Sequence, residues 1–423
     1  MLNVQHLIKA VRRQWIVLGI GVLGLVVSTT VLTFFLPVVL DSVTDSGLAI
    51  GFAVGVEGVA ALTVPLLVGQ ASDRTWTRFG RRMPYLLAAT PLVFAAMLAV
   101  ALLHTYWLIV AAVLVFFVGY YAYYTAYQAL YPDTLPPDEY GRAWGYLSLF
   151  QGLGVAVALL GGGALLGVGL GAPFIAAAFF FVLIAGVTAG LVKEQRARPG
   201  DAERSHSSAT PPRLRRVLLT FFGRLRDDPK LRWFLAAHFC WEYTLAAIRA
   251  FVILYMLNGL NLSPSQIVPV MAVVIVAYLL ASVVSGQVID RPGRTPHRYA
   301  AGVITVYAVC MLTVGLSTNW YVLTVVTPVG VFAGVATLLL AYPILLRITP
   351  PERRGEYTGY FQFNRGLALL VGTSLTGGLI DLFGGYFPAT DGLQVLWLST
   401  AALAFVSLPL FLQLSRRGLA QPA

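Results

Sequence analysis

Four ionisable side chains stand inside stretches that are otherwise apolar: Glu57, Glu242, Arg249 and Arg365. A charge at the centre of a bilayer costs roughly 2.5–3.5 kcal/mol on insertion scales, so such a residue usually faces a cavity or a partner. The chemistry open to a carboxylate in that position is cation coupling: it takes up H+ or Na+ in one state and releases it in another. Glu57, near the middle of its apolar run, is the first candidate; the bland alternative is a neutral glutamate bonded to a neighbouring helix. A second stretch reads His238-Phe-Cys-Trp241-Glu242-Tyr243-Thr-Leu-Ala-Ala-Ile-Arg249. His238 and Glu242, four apart, share a helix face, and Arg249 falls seven further on nearly the same stripe. Arg249 is placed to stabilise an ionised Glu242 or Glu57, although two helical turns separate Glu242 from Arg249 by roughly 10.5 Å. His238 lies nearer the helix start and reads as a packed or solvated histidine.

These residues need helices to hold them. The chain has 423 residues, 58% hydrophobic and 11% charged, against about a quarter charged in ordinary soluble domains. Lipid must be its solvent. Twelve apolar runs approach the roughly 20 residues that span a hydrocarbon core: 14–37, 48–70, 84–104, 106–130, 142–166, 171–192, 230–257, 266–289, 298–316, 320–346, 356–381 and 392–414. No alternating barrel pattern is present. The first run is too long for a signal peptide and lacks a small-x-small cleavage site, so it reads as an uncleaved span. Cys240 and Cys310 both fall inside spans, which gives no disulfide framework.

The net charge of +11 would suit nucleic acid were it not so placed. Of the 29 Lys and Arg residues, all but Arg249 and Arg365 lie before span 1, after span 12, in the even-to-odd loops or at the span ends that adjoin those loops. By the positive-inside rule that face is cytoplasmic, with both termini inside an inner (cell) membrane. The excess charge orients the protein, and no nucleic-acid partner is expected.

The chain repeats itself. Gly69-Gln-Ala-Ser-Asp73-Arg74 after span 2 matches Gly286-Gln-Val-Ile-Asp290-Arg291 after span 8, and Pro136-Pro137…Gly141…Gly145-Tyr146 matches Pro350-Pro351…Gly355…Gly359-Tyr360 at nearly the same separation. Two six-span halves related by an axis along the membrane normal follow. The expected domains are a six-helix bundle over 1–192, a cytoplasmic linker over 193–229 and a second bundle over 230–423. Within the linker, Leu214, Leu218, Phe221 and Leu225 share a helical face among arginines, the pattern of a helix lying on an anionic leaflet; a solvated connector is the alternative.

The repeat opposes Arg365 in span 11 to Gln151 in span 5, with Asn364 beside the arginine. Both positions suit cavity lining or, for Arg365, snorkelling to the interface. Span 4 carries Tyr120, Tyr121, Tyr123, Tyr124, Tyr127 and Gln128. Rings and amides of this kind, with Trp241 and Tyr243 beside Glu242, suit a polar solute with an apolar face, such as a sugar; each ring taken alone also suits packing. The expected cavity residues are Tyr124, Gln128, Gln151, Trp241, Asn364 and Arg365.

The loop Gly69-Gln-Ala-Ser-Asp73-Arg74-Thr-Trp-Thr-Arg78-Phe-Gly80-Arg81-Arg82-Met-Pro84 resembles the loop 2–3 signature of the major facilitator superfamily. Its extended form is similar to the sugar:cation symporters, of the glycoside–pentoside–hexuronide and sucrose-transporter-like branches. Ala129-Leu-Tyr-Pro132-Asp133…Pro137…Gly141-Arg142…Gly145 resembles their loop 4–5 signature. The resemblance implies an all-α integral membrane fold of twelve transmembrane helices in two pseudo-symmetric six-helix bundles. It also implies a cytoplasmic gate latch formed by Gly69, Asp73, Arg74, Gly80, Arg81 and Arg82, with Asp290 and Arg291 as counterparts; a role in topology alone is the alternative. The symporters carry coupling carboxylates on span 2, but Glu57 does not reproduce their spacing, which leaves H+ and Na+ both open.

No phosphate-binding Gly-x4-Gly-Lys-Ser/Thr loop, metal cluster or nucleophile–base pair is present in the sequence, so neither an enzyme nor a cofactor is expected. The reading is a monomeric secondary transporter of a small solute, a sugar or glycoside driven by a cation through Glu57, Glu242 and Arg249. A proton-coupled exporter of amphipathic compounds is the alternative, and a non-transporting membrane receptor a further one.

Overall fold

A computed structural model describes residues 4–75, 77, 80–134, 140–192, 221, 223–289, 296–350 and 353–414. Residues 193–220 of the expected linker, and the Asp290–Arg291 repeat of the loop motif, lie outside them. The main helices are α1 (Val4–Asp41), α2 (Gly47–Arg74), α3 (Met83–Leu102), α4 (Tyr106–Thr134), α5 (Tyr140–Leu166) and α6 (Ala172–Leu191). After the linker come α7 (Pro229–Leu254), α8 (Pro264–Ile289), α9 (Pro296–Leu316), α10 (Trp320–Ile348), α11 (Arg354–Phe383) and α12 (Val395–Leu414). Among the described residues, twelve helices are long and apolar enough to cross a membrane, and there is no β-strand. Helices are the outcome that lipid demands, because each backbone N–H and C=O finds its partner within the segment. Large apolar side chains remain exposed along α8, including Val273, Val276, Leu280 and Val283, as expected where hydrocarbon is the surrounding solvent.

Local signals set the helix starts. Asp228 caps α7, its Oδ1 accepting from the N–H groups of Lys230 (2.9 Å) and Leu231 (3.1 Å), and Pro229 fills the first helical position, where no N–H partner is needed. Asn319 Oδ1 caps α10 by accepting from Tyr321 N at 2.9 Å. Directly after α7 the chain continues as a π-helical turn, Tyr255–Gly259.

The chain forms two compact units, one of Met1–Val43 with Ala60–Ala209 and one of Thr44–Val59 with Thr210–Ala423. In the first, α1 packs on α5 and α6, and α3 packs on α4 and α6. In the second, α7 packs on α11 and α12, and α9 packs on α10 and α12. These four pairings correspond when six is added to each helix number, so the repeat in the loops is also a repeat in the packing.

The first half of α2 packs with the second unit. Gly47, Gly51, Gly55 and Gly58 form a stripe on α2, and a Cβ on Gly51 or Gly58 would collide with the backbone carbonyl of Thr373 or Gly366 on α11. The small residues let two backbones approach closely. Asp381, near the end of α11, caps the start of α2: its carboxylate accepts from Gly47 N (2.6 Å), Leu48 N (2.9 Å) and Ser46 Oγ (2.8 Å). A carboxylate at a helix N-terminus is favoured by the orphan N–H groups and the helix dipole.

The described end of the linker behaves differently from the expected leaflet-bound helix. Phe221 is buried, with its ring 5.3 Å from that of Tyr360 and 4.9 Å from that of Phe363, and Leu225 packs against the same core. Arg224 Nε donates to Glu356 Oε1 at 3.1 Å, and Tyr357 hydroxyl donates to Asp228 Oδ2 at 2.5 Å. The first turns of α11 thus offer an aromatic surface and a carboxylate that take the apolar and basic sides of this segment. Leu214 and Leu218 lie outside the described residues.

Candidate functional site

The four span-embedded ionisable residues all belong to the second unit. Glu57, on the α2 half that packs there, faces Arg249 of α7, with Oε2 and Nη2 3.4 Å apart. Their side chains are 7% and 17% exposed, so the pair is shielded from water on most sides. Glu242, also buried, meets two groups. His238 Nε2 of its own helix is 3.4 Å from Oε1, and Arg365 Nε of α11 is 3.7 Å from Oε2. Arg365 is the open end of the array, its side chain 44% exposed. Two carboxylates and two guanidiniums therefore alternate across α2, α7 and α11.

The electrostatics follow from burial. An isolated charge here would carry a desolvation penalty of several kcal/mol, which opposite charges offset only in close geometry. The Arg249–Glu57 and Arg365–Glu242 contacts, at 3.4 and 3.7 Å, are ion pairs rather than short charge-assisted hydrogen bonds, and Glu242 Oε2 and His238 Nε2 make no hydrogen bond that meets full geometry. The charge on Glu242 is compensated, but its Oε2 is not saturated by hydrogen bonds. Such a carboxylate can exchange a proton without dismantling a dense hydrogen-bond network.

His238 is integral to the array. The ring is fully buried, stacked on Phe361 at 4.1 Å and on Phe234 at 5.8 Å. Asn364 Nδ2 lies 3.0 Å from His238 Nδ1 and 3.1 Å from the carbonyl oxygen of Leu235. The four-residue spacing from Glu242 was the available sequence signal; the link to Asn364 comes from another helix.

The other expected cavity residues divide by unit. Trp241 is 2% exposed, its Nε1 donating to Ser407 Oγ at 3.0 Å and its ring packing near Phe411 of α12. One residue is a 100° turn of a helix, so Trp241 and Glu242 look in different directions, and the indole is core rather than cavity wall. Asn364 is likewise buried. Tyr124 and Gln128, half-buried on α4 of the first unit, bond to each other through the amide nitrogen and the phenol oxygen. Tyr124 also stacks on Tyr120, with centroids 5.8 Å apart and planes 8° from parallel. Gln151 is half-buried on α5.

The loop motif is a folded turn in the first unit. Gly80 has φ 108°, which glycine tolerates best, and closes onto Thr77 through N–H···O contacts of 3.2 and 3.1 Å. Arg81 Nε donates to the Ser72 carbonyl (3.3 Å) and the buried Arg82 donates through Nη1 to Ser72 Oγ (2.5 Å). Cations at the carbonyl end of α2 complement its dipole. Gly69 is half-buried near that end, while the side chains of Asp73 and Arg74 lie outside the description. Among the described residues no cluster of three or more His, Cys, Asp or Glu gathers as a metal site.

Twelve spans in two copies of one packing pattern, with opposed charges buried in the spans, define a multi-spanning membrane transporter. Residues 16–373 match the Major Facilitator Superfamily, and the chain belongs to that family. No curated protein is similar enough in sequence to match. Similar solved structures include a bacterial homolog of the human lysosomal transporter Spinster, in an inward-facing and occupied conformation. It is 15% identical, with TM-score 0.76 over 97% of this chain and 99% of that one. A point variant of the nucleoside transporter NupG is 14% identical, with TM-score 0.75 over 95% of this chain and 99% of that one. The human organic anion transporter MFSD10 (TETRAN) is 15% identical, with TM-score 0.62 over 95% and 99%. At these identities the likeness is one of fold.

Proposed function

We propose that the protein is a secondary active transporter that moves a sugar or glycoside together with a proton by alternating access. The observation that carries this reading is the buried Glu57–Arg249 pair with Glu242–Arg365 beside it. Four charges within spans, two of them buried carboxylates, are costly to keep, and ionisable groups inside spans commonly mark ion pathways. A proton suits the array better than Na+, because each carboxylate already faces a guanidinium that would repel a metal ion. Protonating Glu57 releases Arg249, and protonating Glu242 releases Arg365, so each uptake event changes the charge presented inside the span.

For the solute, the support is a wall of α4 rings and an amide in Tyr120, Tyr124 and Gln128, groups that stack on and hydrogen-bond to sugars. A nucleoside, the solute in the name of one structural neighbour, is itself a glycoside. The turn of Gly80, Arg81 and Arg82 against the end of α2, with Asp73 and Arg74, serves as the cytoplasmic gate latch. Asp290 and Arg291 are its counterpart in the repeat. The distribution of basic residues supports an inner membrane with both termini cytoplasmic.

The test is uptake of a labelled panel of sugars and nucleosides by purified full-length protein in liposomes, under a proton gradient, a sodium gradient or neither. Proton-driven accumulation that Glu57→Gln abolishes is expected. Sodium-driven accumulation overturns the choice of ion. Absence of uptake from folded protein, with resistance to amphipathic toxins in cells, replaces it by the exporter.

A further inference from the structure

We infer that Asn364 is a positioning residue that locks His238 as a neutral N–H donor, so that the travelling proton sits on Glu242 and not on the imidazole. The inference rests on the reading that Glu242 takes part in proton coupling.

Leu235 O can only accept a hydrogen bond, so the atom of Asn364 that lies 3.1 Å from it is the amide nitrogen. The same nitrogen lies 3.0 Å from His238 Nδ1 and offers its second hydrogen there. Nδ1 must then be the acceptor, and the ring proton resides on Nε2, which faces Glu242 Oε1 at 3.4 Å. Imidazolium would place a second N–H against that amide, with Phe361 and Phe234 stacked on the ring to exclude water. A histidine held in this way stays neutral and points one fixed donor at the carboxylate.

The charged groups facing the pair are Arg365 from α11 and, further along α7, Arg249 with Glu57 from α2. All of them can keep their protonation while Glu242 changes its own. On uptake one proton binds a carboxylate oxygen of Glu242, the charge of the Glu242–Arg365 pair rises by one, and the His238 Nε2–H bond stays intact. On release the same O–H bond breaks and the His238 Nε2–H again faces the anion. No proton passes through the ring.

The test uses the full-length protein in lipid, with protons as the only probe, so it needs no knowledge of the solute. Infrared difference spectra over a pH titration follow the carboxylic-acid C=O band that Glu242→Gln removes. Solid-state NMR of 15N-histidine follows the signal that His238→Gln removes. In the wild type the His238 signal should stay in the neutral Nε2–H form throughout the Glu242 transition, favoured roughly tenfold over the other tautomer by one hydrogen bond. Asn364→Leu should let both tautomers appear, and Asn364→Asp, which puts an acceptor opposite Nδ1, should yield imidazolium. His238→Gln, which keeps an N–H donor and cannot titrate, should retain the Glu242 band.

Imidazolium appearing in the wild type as Glu242 ionises would overturn the inference, as would a tautomer unchanged in Asn364→Leu. A titration with no band assignable to Glu242 is a different failure: it removes the coupling reading beneath the inference, whatever the tautomer shows.

Discussion

Helices α1 and α5 in the first unit pair as α7 and α11 do in the second. On α1 the buried polar groups are hydroxyls that turn back onto their own helix, Ser28 to the Leu25 carbonyl and Thr33 to that of Thr29, each at 2.9 Å. On α7 the buried Thr244 also turns back, to the Trp241 carbonyl, but His238 and Glu242, with the part-buried Arg249, reach α11 and α2. Among the described residues, the ion array within the spans lies in the second copy. The rings and amide of α4 belong to the first. Duplication fixed how the helices pack while leaving each copy free to acquire its own chemistry. In our reading one half carries the coupling and the other contributes neutral contacts to the solute.

The largest expected effect attacks the charged copy. Glu57→Gln should reduce proton-driven accumulation in liposomes to the no-gradient level while sparing solute exchange. Thr33→Ala on α1 should leave accumulation within about twofold, because it removes one hydrogen bond local to its own helix. Equal losses from both would end the division of labour.

Next comes stability. Arg249→Met leaves Glu57 buried without its guanidinium and should cost about 3–5 kcal/mol, whereas the double change Glu57→Gln with Arg249→Met should recover most of that loss without restoring transport. Thermal unfolding in detergent of the two singles and the double reads the coupling directly. A double variant no more stable than Arg249→Met would show that the pair is not what holds α2 to α7.

Glycines sharpen the contrast at smaller scale. Gly51→Val should destabilise by about 1–3 kcal/mol, since its side chain meets the Thr373 carbonyl. Gly161→Ala on α5, where a Cβ meets nothing within 4 Å, should stabilise by about 0.5–1 kcal/mol. Melting temperatures moving in opposite directions are the expected result. Smallest of all, Trp241→Phe forfeits the bond to Ser407, about 1 kcal/mol, and should leave solute affinity unchanged; a raised KM would return the indole to the solute site.

How much of this was legible depends on the range of each interaction. Span length and the repeated loop motifs are local properties, and they were sufficient for twelve helices in two related halves. Gly80 was named only as part of the loop motif; the positive φ of its turn is a feature of the fold. The Glu57–Arg249 contact joins residues 192 positions apart; the sequence named both partners and Arg249 as stabiliser, but left open which carboxylate it meets. Trp241 was misassigned because adjacency in sequence is not adjacency on a helix face. The cap by Asp381 went unseen for a related reason: an acid at the end of an apolar run looks like a helix end meeting water, and only the tertiary fold brings the start of α2 to it.

The α2–α11 contact has a mechanical side. At Gly51 and Gly58 the nearest α11 atoms are backbone, so parting the two helices there would disturb few side chains. The strongest polar tie is the exposed Asp381 carboxylate, whose three hydrogen bonds water can replace as they break. Pro65, a few residues beyond the point where α2 passes from one unit to the other, removes an N–H from the helix ladder and gives a place to bend. A contact of this kind behaves like a smooth bearing. Its resistance is set by how fast whole helices move, and it can be made and broken many times without the slow repacking that would wear down a turnover rate.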